Sequence, residues 1–147
     1  MFRNILVPTD GSALSARAIR QAVQFAKEQK ARVTGLHVVP AYEPGLRDEA
    51  SALHYLSPRQ YADRSRAIAQ KHLAVVGKAA AAAKVRCELV QATGDYPFEE
   101  ILRTSQRKKC DLIYMASHGR RGISRLLMGS ETSKVLAHSK IPVIVCK

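Results

Sequence analysis

Two segments more than a hundred residues apart constrain this chain more than any other feature. Asn4-Ile5-Leu6-Val7 reads as a buried strand and runs at once into Pro8-Thr9-Asp10-Gly11-Ser12. Leu112-Ile113-Tyr114-Met115-Ala116 reads as another strand. It runs into Ser117-His118-Gly119-Arg120-Arg121-Gly122, with Gly129-Ser130 further on at the start of a helix. Strands that end in small or polar loops, each opening a helix, belong at the carboxyl edge of a parallel sheet, where open α/β sheets bind ligands. The later loop adds glycines, a helix start and Arg120, Arg121 and Arg125, a combination suited to phosphate.

The chain between and around these segments alternates in the same way. Ser12 is an N-cap for a helix to about Gln29, with Ala18, Ala22, Phe25 and Ala26 as its apolar stripe. Arg32 to Val39 reads as the second strand. Residues 41–57 show no periodicity and read as a mobile connection, a flap over the site. Pro58 suits the first position of a long helix from Ser57 to about Ala83. Lys84 to Ala92 reads as the third strand, Gly94 to Pro97 as a turn, and Phe98 to Lys108 as a helix with Ile101 and Leu102 inward. Asp111 to Ala116 is strand four. Ser130 is read as the cap of a helix to about Ser139, and Ile141 to Cys146 as strand five. Five strands alternating with four helices predict a doubly wound parallel sheet covered on both faces, a three-layer α/β/α sandwich. Strands one and four, which both carry site loops, are expected to be neighbours.

At 147 residues the chain is expected to be a single domain, 1–147. No apolar run approaches the roughly 18 residues of a membrane span. Asp10 and Gly11 interrupt the short apolar stretch at the N-terminus, so no signal-peptide pattern stands there and the cytosol is the expected compartment. Cys87, Cys110 and Cys146 form no CxxC pair and are expected to be buried, reduced thiols. The formal net charge is +12, and residues 101–147 hold ten Lys or Arg against Asp111 and Glu131. That skew favours an anionic partner without choosing between a mononucleotide and a polynucleotide.

Taken together, the two strand-end segments resemble the universal stress protein family. The family's nucleotide motif has a glycine, two residues, a second glycine, nine residues, then Gly-Ser or Gly-Thr. Gly119 stands at the second glycine, Arg120 to Met128 are the nine, and Gly129-Ser130 closes the motif; Ala116 replaces the first glycine. The Val-Pro-Thr-Asp opening, His37-Val38-Val39 and the closing Pro142-Val143-Ile144-Val145 are also similar to the family. The resemblance implies the strand order 3-2-1-4-5 and an adenine nucleotide as ligand, ATP or a relative, with Mg2+ as its companion ion; the apolar strand 141–146 is expected at the sheet edge and to pair with its own copy in a homodimer, to which the resemblance also points. It implies that Pro8, Thr9 and Asp10 lie against the nucleotide and that the Val38 backbone meets adenine. Met115, Ala116, Ser117, His118, Gly119, Arg120, Arg121, Gly129, Ser130, Glu131 and Thr132 complete the expected site. The Ala116 methyl is expected to alter or weaken nucleotide preference rather than close the site.

Each candidate also has a plainer use. Gly119, Gly122 and Gly129 serve equally as turn and helix-start residues. The arginines serve as solvated side chains, and His118 as a loop residue. Asp10 either braces its own loop or meets a ribose hydroxyl or a divalent cation. His37, His54, His72 and His138 show no ligand spacing. There is no GxxxxGK[ST] loop and no GxGxxG after a strand, and no catalytic base can be named. Binding is therefore expected rather than catalysis, with slow ATP hydrolysis left open. Two other readings stand beside it: an interaction module of the same fold with an empty site, and a basic nucleic-acid-binding protein. Against the second, the chain has 5 Tyr, 3 Phe and no Trp, and no RNP-like or zinc motif.

Overall fold

The strand that starts the fold is buried along nearly its whole length. In the computed structural model, which describes residues 1–43, 56–119 and 128–147, β1 (Asn4–Pro8) is buried from Asn4 to Val7. A strand apolar on both faces must be covered on both, and the rest of the chain does this. The elements follow as α1 (Ala13–Gln29), β2 (Arg32–Val39), α2 (Pro58–Ala83), β3 (Cys87–Thr93), α3 (Pro97–Arg107), β4 (Leu112–Ala116), α4 (Ser130–His138) and β5 (Val143–Cys146). The sheet order is β3-β2-β1-β4-β5, and every neighbouring pair is parallel. Strand pairing, the order and the four helices agree with the expectation.

Alternation along the strands splits the core into two layers. Ile5, Val7, Leu112, Tyr114 and Ala116 face α1 and α2, where Ala18, Ala22, Ala26, Val76 and Ala80 close the layer. Leu6, Ile113 and Met115 face the other way, toward Ile101 of α3 and Val135 of α4. The result is the three-layer arrangement. The small residues of the α1 stripe are all fully buried. They let that helix lie close to the sheet.

One buried amide locks the base of β1. Asn4 Oδ1 accepts from Thr34 Oγ1 at 2.9 Å, and Asn4 Nδ2 donates to Lys108 O at 2.9 Å. Its backbone N–H donates to Asp111 Oδ1, and its carbonyl accepts from Asp111 N–H. Four polar groups of one residue thus join β2 and the α3–β4 turn to β1, and none is left to bear the cost of unpaired burial.

Several boundaries differ from the sequence reading for local reasons. β3 starts at Cys87 rather than Lys84, because Lys84 ends α2 in the left-handed conformation at φ 58° and bonds back to Ala80 and Ala81. Ser130 is not the cap of α4. Gly129 holds that position and Ser130 is the first helical residue, with no side-chain capping bond. α2 begins with a capping box: Gln60 N–H donates to Ser57 Oγ and Ser57 N–H to Gln60 Oε1. Lys30, Lys84 and Lys109 adopt positive φ, which costs roughly 1–2 kcal/mol each for a residue with a Cβ. The connection read as a flap lies mostly at 44–55, outside the described residues. Its start is tied to its end by Tyr42, whose hydroxyl donates to Leu56 O. Among the described residues, no helix is long and apolar enough to cross a membrane.

The cysteines are reduced, but only two are buried. Cys87 is exposed, because β3 is an edge strand with one face open along much of its length. Burial pushes the Cys110 thiol from about 9 up to about 11, against small opposing effects from the Thr34 hydroxyl and Arg32. The folded state therefore keeps a proton that the unfolded chain releases near pH 9. That contribution to stability is full below pH 9 and is lost as pH rises toward 11. Urea midpoints measured from pH 8 to 11 should show wild-type stability falling more steeply than that of Cys110→Ala, by at most about 1.4 kcal/mol per pH unit. Identical slopes in the two proteins would contradict this account.

Candidate functional site

The exits of β1 and β4 face each other because these strands are paired at the centre of the sheet. The β1 loop is held by a short relay of polar groups. Gly11 N–H donates to Thr9 Oγ1, which meets Ser15 Oγ at 3.1 Å, and Ser15 Oγ donates to Ser12 O. Ser12 caps α1 by accepting from Ser15 N–H. Asp10 Oδ1 accepts from Ser12 N–H at 2.9 Å, so one carboxylate oxygen braces its own loop. The other faces the β4 loop. A β-carbon placed on Gly119 would lie 2.4 Å from Asp10 Oδ2. Glycine at 119 thus leaves room for the Asp10 carboxylate in its present place against the β4 loop.

The β4 loop is fixed just as firmly on its other side. Ser117 N–H donates to Cys146 O, and Ser117 O accepts from Gly129 N–H at 2.7 Å. Ser117 Oγ stands 3.1 Å from His118 Nδ1. Gly129 lies tight against this turn: a β-carbon there would sit 3.1 Å from His118 Cα. The start of α4 is therefore brought beside the β4 exit. Its first amides have no intrahelical acceptors by position, and Gly129 has no side chain to cap them. That is the geometry that receives an anion.

Pro8, Thr9, Asp10, Ser117, His118, Gly119, Gly129 and Ser130 thus converge from three sequence regions. Val38 lies near the end of β2, the strand beside β1, and is half-buried. Met115 faces the α3–α4 layer and Ala116 the α1 layer. The Ala116 methyl therefore belongs to the packed core. Arg120 and Arg121, with Gly122 and Arg125, lie outside the described residues. Among the described residues no group of three or more His, Cys, Asp or Glu could hold a metal ion.

Two of the expected site residues use their side chains elsewhere. Thr132 is buried, and its hydroxyl donates to Ala116 O at 3.0 Å, tying α4 to the end of β4. Glu131 Oε2 accepts from Phe98 N–H at 2.8 Å, and so supplies the N-terminal cap that Tyr96 does not give α3.

The sequence reading also missed a pair. His37 Nδ1 donates to Thr9 O at 2.8 Å, and His72 Nδ1 stands 3.4 Å from His37 Nδ1, the rings meeting edge-on at 4.7 Å. The pair backs the Thr9–Gly11 loop. Gly11, at φ 79°, lies so near that an added β-carbon would fall 2.2 Å from His72 Nε2. The two histidines are thirty-five residues apart, one on β2 and one mid-way along α2. Only the packing of α2 across the sheet joins them.

The fold is a doubly wound parallel α/β sandwich whose central strand exits, with the start of α4, come together on one side of the sheet. The universal stress protein family profile matches residues 1–147. The chain belongs to the universal stress protein family. It is 33% identical over 151 residues to the universal stress protein YxiE of Bacillus subtilis, covering 100% of each. It is 31% identical over 150 residues to a universal stress protein of Methanocaldococcus jannaschii, covering 100% of this chain and 83% of that one. Among solved structures, UspA of Lactobacillus plantarum matches with a TM-score of 0.71 at 30% identity, over 99% and 97% of the two chains. A universal stress protein in complex with cAMP matches at 0.73 and 23%, over 99% and 97%. One from Archaeoglobus fulgidus in complex with dAMP matches at 0.71 and 20%, over 99% and 98%. At those identities the last two are likenesses of fold.

The Thr132 bond gives a direct test of how the site is framed. Thr132→Val keeps the shape and leaves the buried Ala116 carbonyl without its donor. It should lower stability by about 1–2 kcal/mol in urea unfolding, while Thr132→Ser retains most of it. Equal stability of the valine variant and wild type would refute the role.

Proposed function

We propose that residues 1–147 form one domain that binds an adenine nucleotide, ATP or a relative, between the 8–12 loop and the 116–132 segment. The observation that carries this reading is the close approach of the Asp10 carboxylate to Gly119, beside the uncapped start of α4. Phosphates would meet the first α4 amides and the Ser130 hydroxyl. The Arg120–Arg121 pair would add charge. Asp10 Oδ2 would face a ribose hydroxyl or a Mg2+ carried by the phosphates. Val38 would offer its backbone to adenine. Glu131 and Thr132 would contribute backbone amides, since their side chains hold α3 and β4. The cAMP and dAMP complexes of proteins with this fold support an adenine ligand. In this reading the protein is a cytosolic stress protein that acts through nucleotide-dependent interactions and turns ATP over slowly or not at all.

Calorimetric titration with ATP and Mg2+ tests the placement. Gly119→Val forces its β-carbon onto the Asp10 carboxylate and should weaken binding roughly tenfold or more. Ala116→Gly removes a methyl that packs under α1. It should lower stability and leave affinity within about threefold. Unchanged affinity in the valine variant would sink the placement. Rapid multiple turnover of ATP, lost on substituting Asp10 or Ser130, would overturn the non-enzymatic reading.

We also propose a homodimer through β5. That strand closes one side of the sheet, and Val143, Ile144 and Val145 are only half-buried. An edge strand with an apolar face and unpaired backbone groups invites its own copy across a two-fold axis. Val143 and Ile144 pack against the two core layers, while Val145 belongs to neither. Val145→Lys is therefore the cleaner probe. Sedimentation should show a wild-type dimer at micromolar concentration and a monomeric variant. A wild-type monomer would rule the dimer out.

A further inference from the structure

We propose that the amino edge of the sheet, opposite the strand-exit loops, docks duplex nucleic acid through its phosphate backbone. All strand pairs are parallel, so all five strands start at this edge. Each is reached through cations. β2 is preceded by Lys30 and begins with Arg32; β3 follows Lys84 and Arg86. Arg3 leads into β1, Lys108 and Lys109 into β4, and Lys140 into β5. All but Lys108 are exposed.

The acids nearby are engaged by neighbours. Glu88 pairs with Lys108, Asp111 accepts from the Arg3 and Asn4 amides, and Glu28 accepts from Gln24. The strand starts thus form one row of mostly exposed cations.

Backbone conformation marks the same edge. The non-glycine residues with positive φ among the described residues are three lysines: Lys30 at 57°, Lys84 at 58° and Lys109 at 52°. Each stands where a helix ends and glycine is the relaxed choice. Between the ends of α1 and α2 lies an open cleft of about 250 Å³ lined by Lys27, Lys30, Lys84 and Arg86.

The dimensions favour a polymer over a single anion. Neighbouring strands are about 4.8 Å apart, so the row of strand starts runs for roughly 20 Å. Duplex DNA carries one charge per about 1.7 Å of axis, so such a row meets a continuous phosphate array. The strand-start loops present no exposed aromatic ring on which a single strand could stack; Phe2 is half-buried against the core. Toward this edge Met1 and, in the last turn of α4, Leu136 are exposed large apolar residues among the described residues, too scattered to anchor a membrane. Duplex backbone is the partner that these features fit.

Fluorescence anisotropy with a labelled duplex of roughly 20 base pairs, starting near 50 mM salt, tests the proposal. Wild type should bind at micromolar concentration with a steep salt dependence. The triple variant Lys30→Gly, Lys84→Gly, Lys109→Gly should bind at least about tenfold more weakly and lose about two to three units of the log–log salt slope. Its thermal midpoint should hold or rise, because glycine relieves three left-handed residues. Arg59→Gln, Arg64→Gln, Arg66→Gln removes the same charge from the other end of α2 and should keep most of the affinity. Equal losses in the two triple variants would reduce the effect to net charge and overturn the proposal. So would unchanged duplex affinity with lowered stability in the glycine variant, which would confine the lysines to helix capping. Absence of duplex binding at low salt, or tighter binding to phosphatidylserine vesicles than to duplex, would overturn it as well.

Discussion

Parallel pairing at the centre of the sheet is the constraint on which the rest of this structure depends. A parallel strand cannot return through a tight turn. Each connection has to cross from one edge of the sheet to the other, and a helix does so here each time. The loops are thereby sorted into two sets that never mix. Strand exits gather Asp10, Ser117, Gly119 and the start of α4 on one side, while strand starts gather lysines and arginines on the other. β1 sits in the middle of this division. Asn4 pins its beginning to β2 and the α3–β4 turn, and the Thr9–Ser15 relay pins its end to α1.

Much of this was legible in the sequence. The apolar strands and the helical stripe of α1 follow from periodicity. The segments Pro8–Ser12 and Ser117–Ser130 pointed to the two loops that meet beside the start of α4. The strand order came from family resemblance, because alternation alone does not rank neighbours. What stayed hidden depends on contacts between distant elements. Nothing local says that Glu131 will cap α3 or that Thr132 will hold Ala116. Both uses arise from α4 packing beside α3 and β4. The His37–His72 pair required α2 to lie across β2. Cys87 looked buried because it sits in a strand, yet only the sheet order reveals that its strand is an edge.

Small errors of boundary have physical causes too. Lys84 has the composition of a strand start but the backbone of a helix end. Serine is a good capping residue in general, yet Gly129 takes the cap at α4 because the chain there presses against the backbone of Ser117 and His118. A side chain at 129 would need that turn to give by a few tenths of an ångström.

The bond from Phe98 N–H to the Glu131 carboxylate has a mechanical consequence. It crosses between two helices that share one face of the sheet, and it lies one residue from the amide end of α4. α3 and α4 are thus coupled like two rods joined by a strut. A displacement of the first turn of α4 would pull on the start of α3 through this bond. A fluorophore placed on α3 would then report movement at the start of α4.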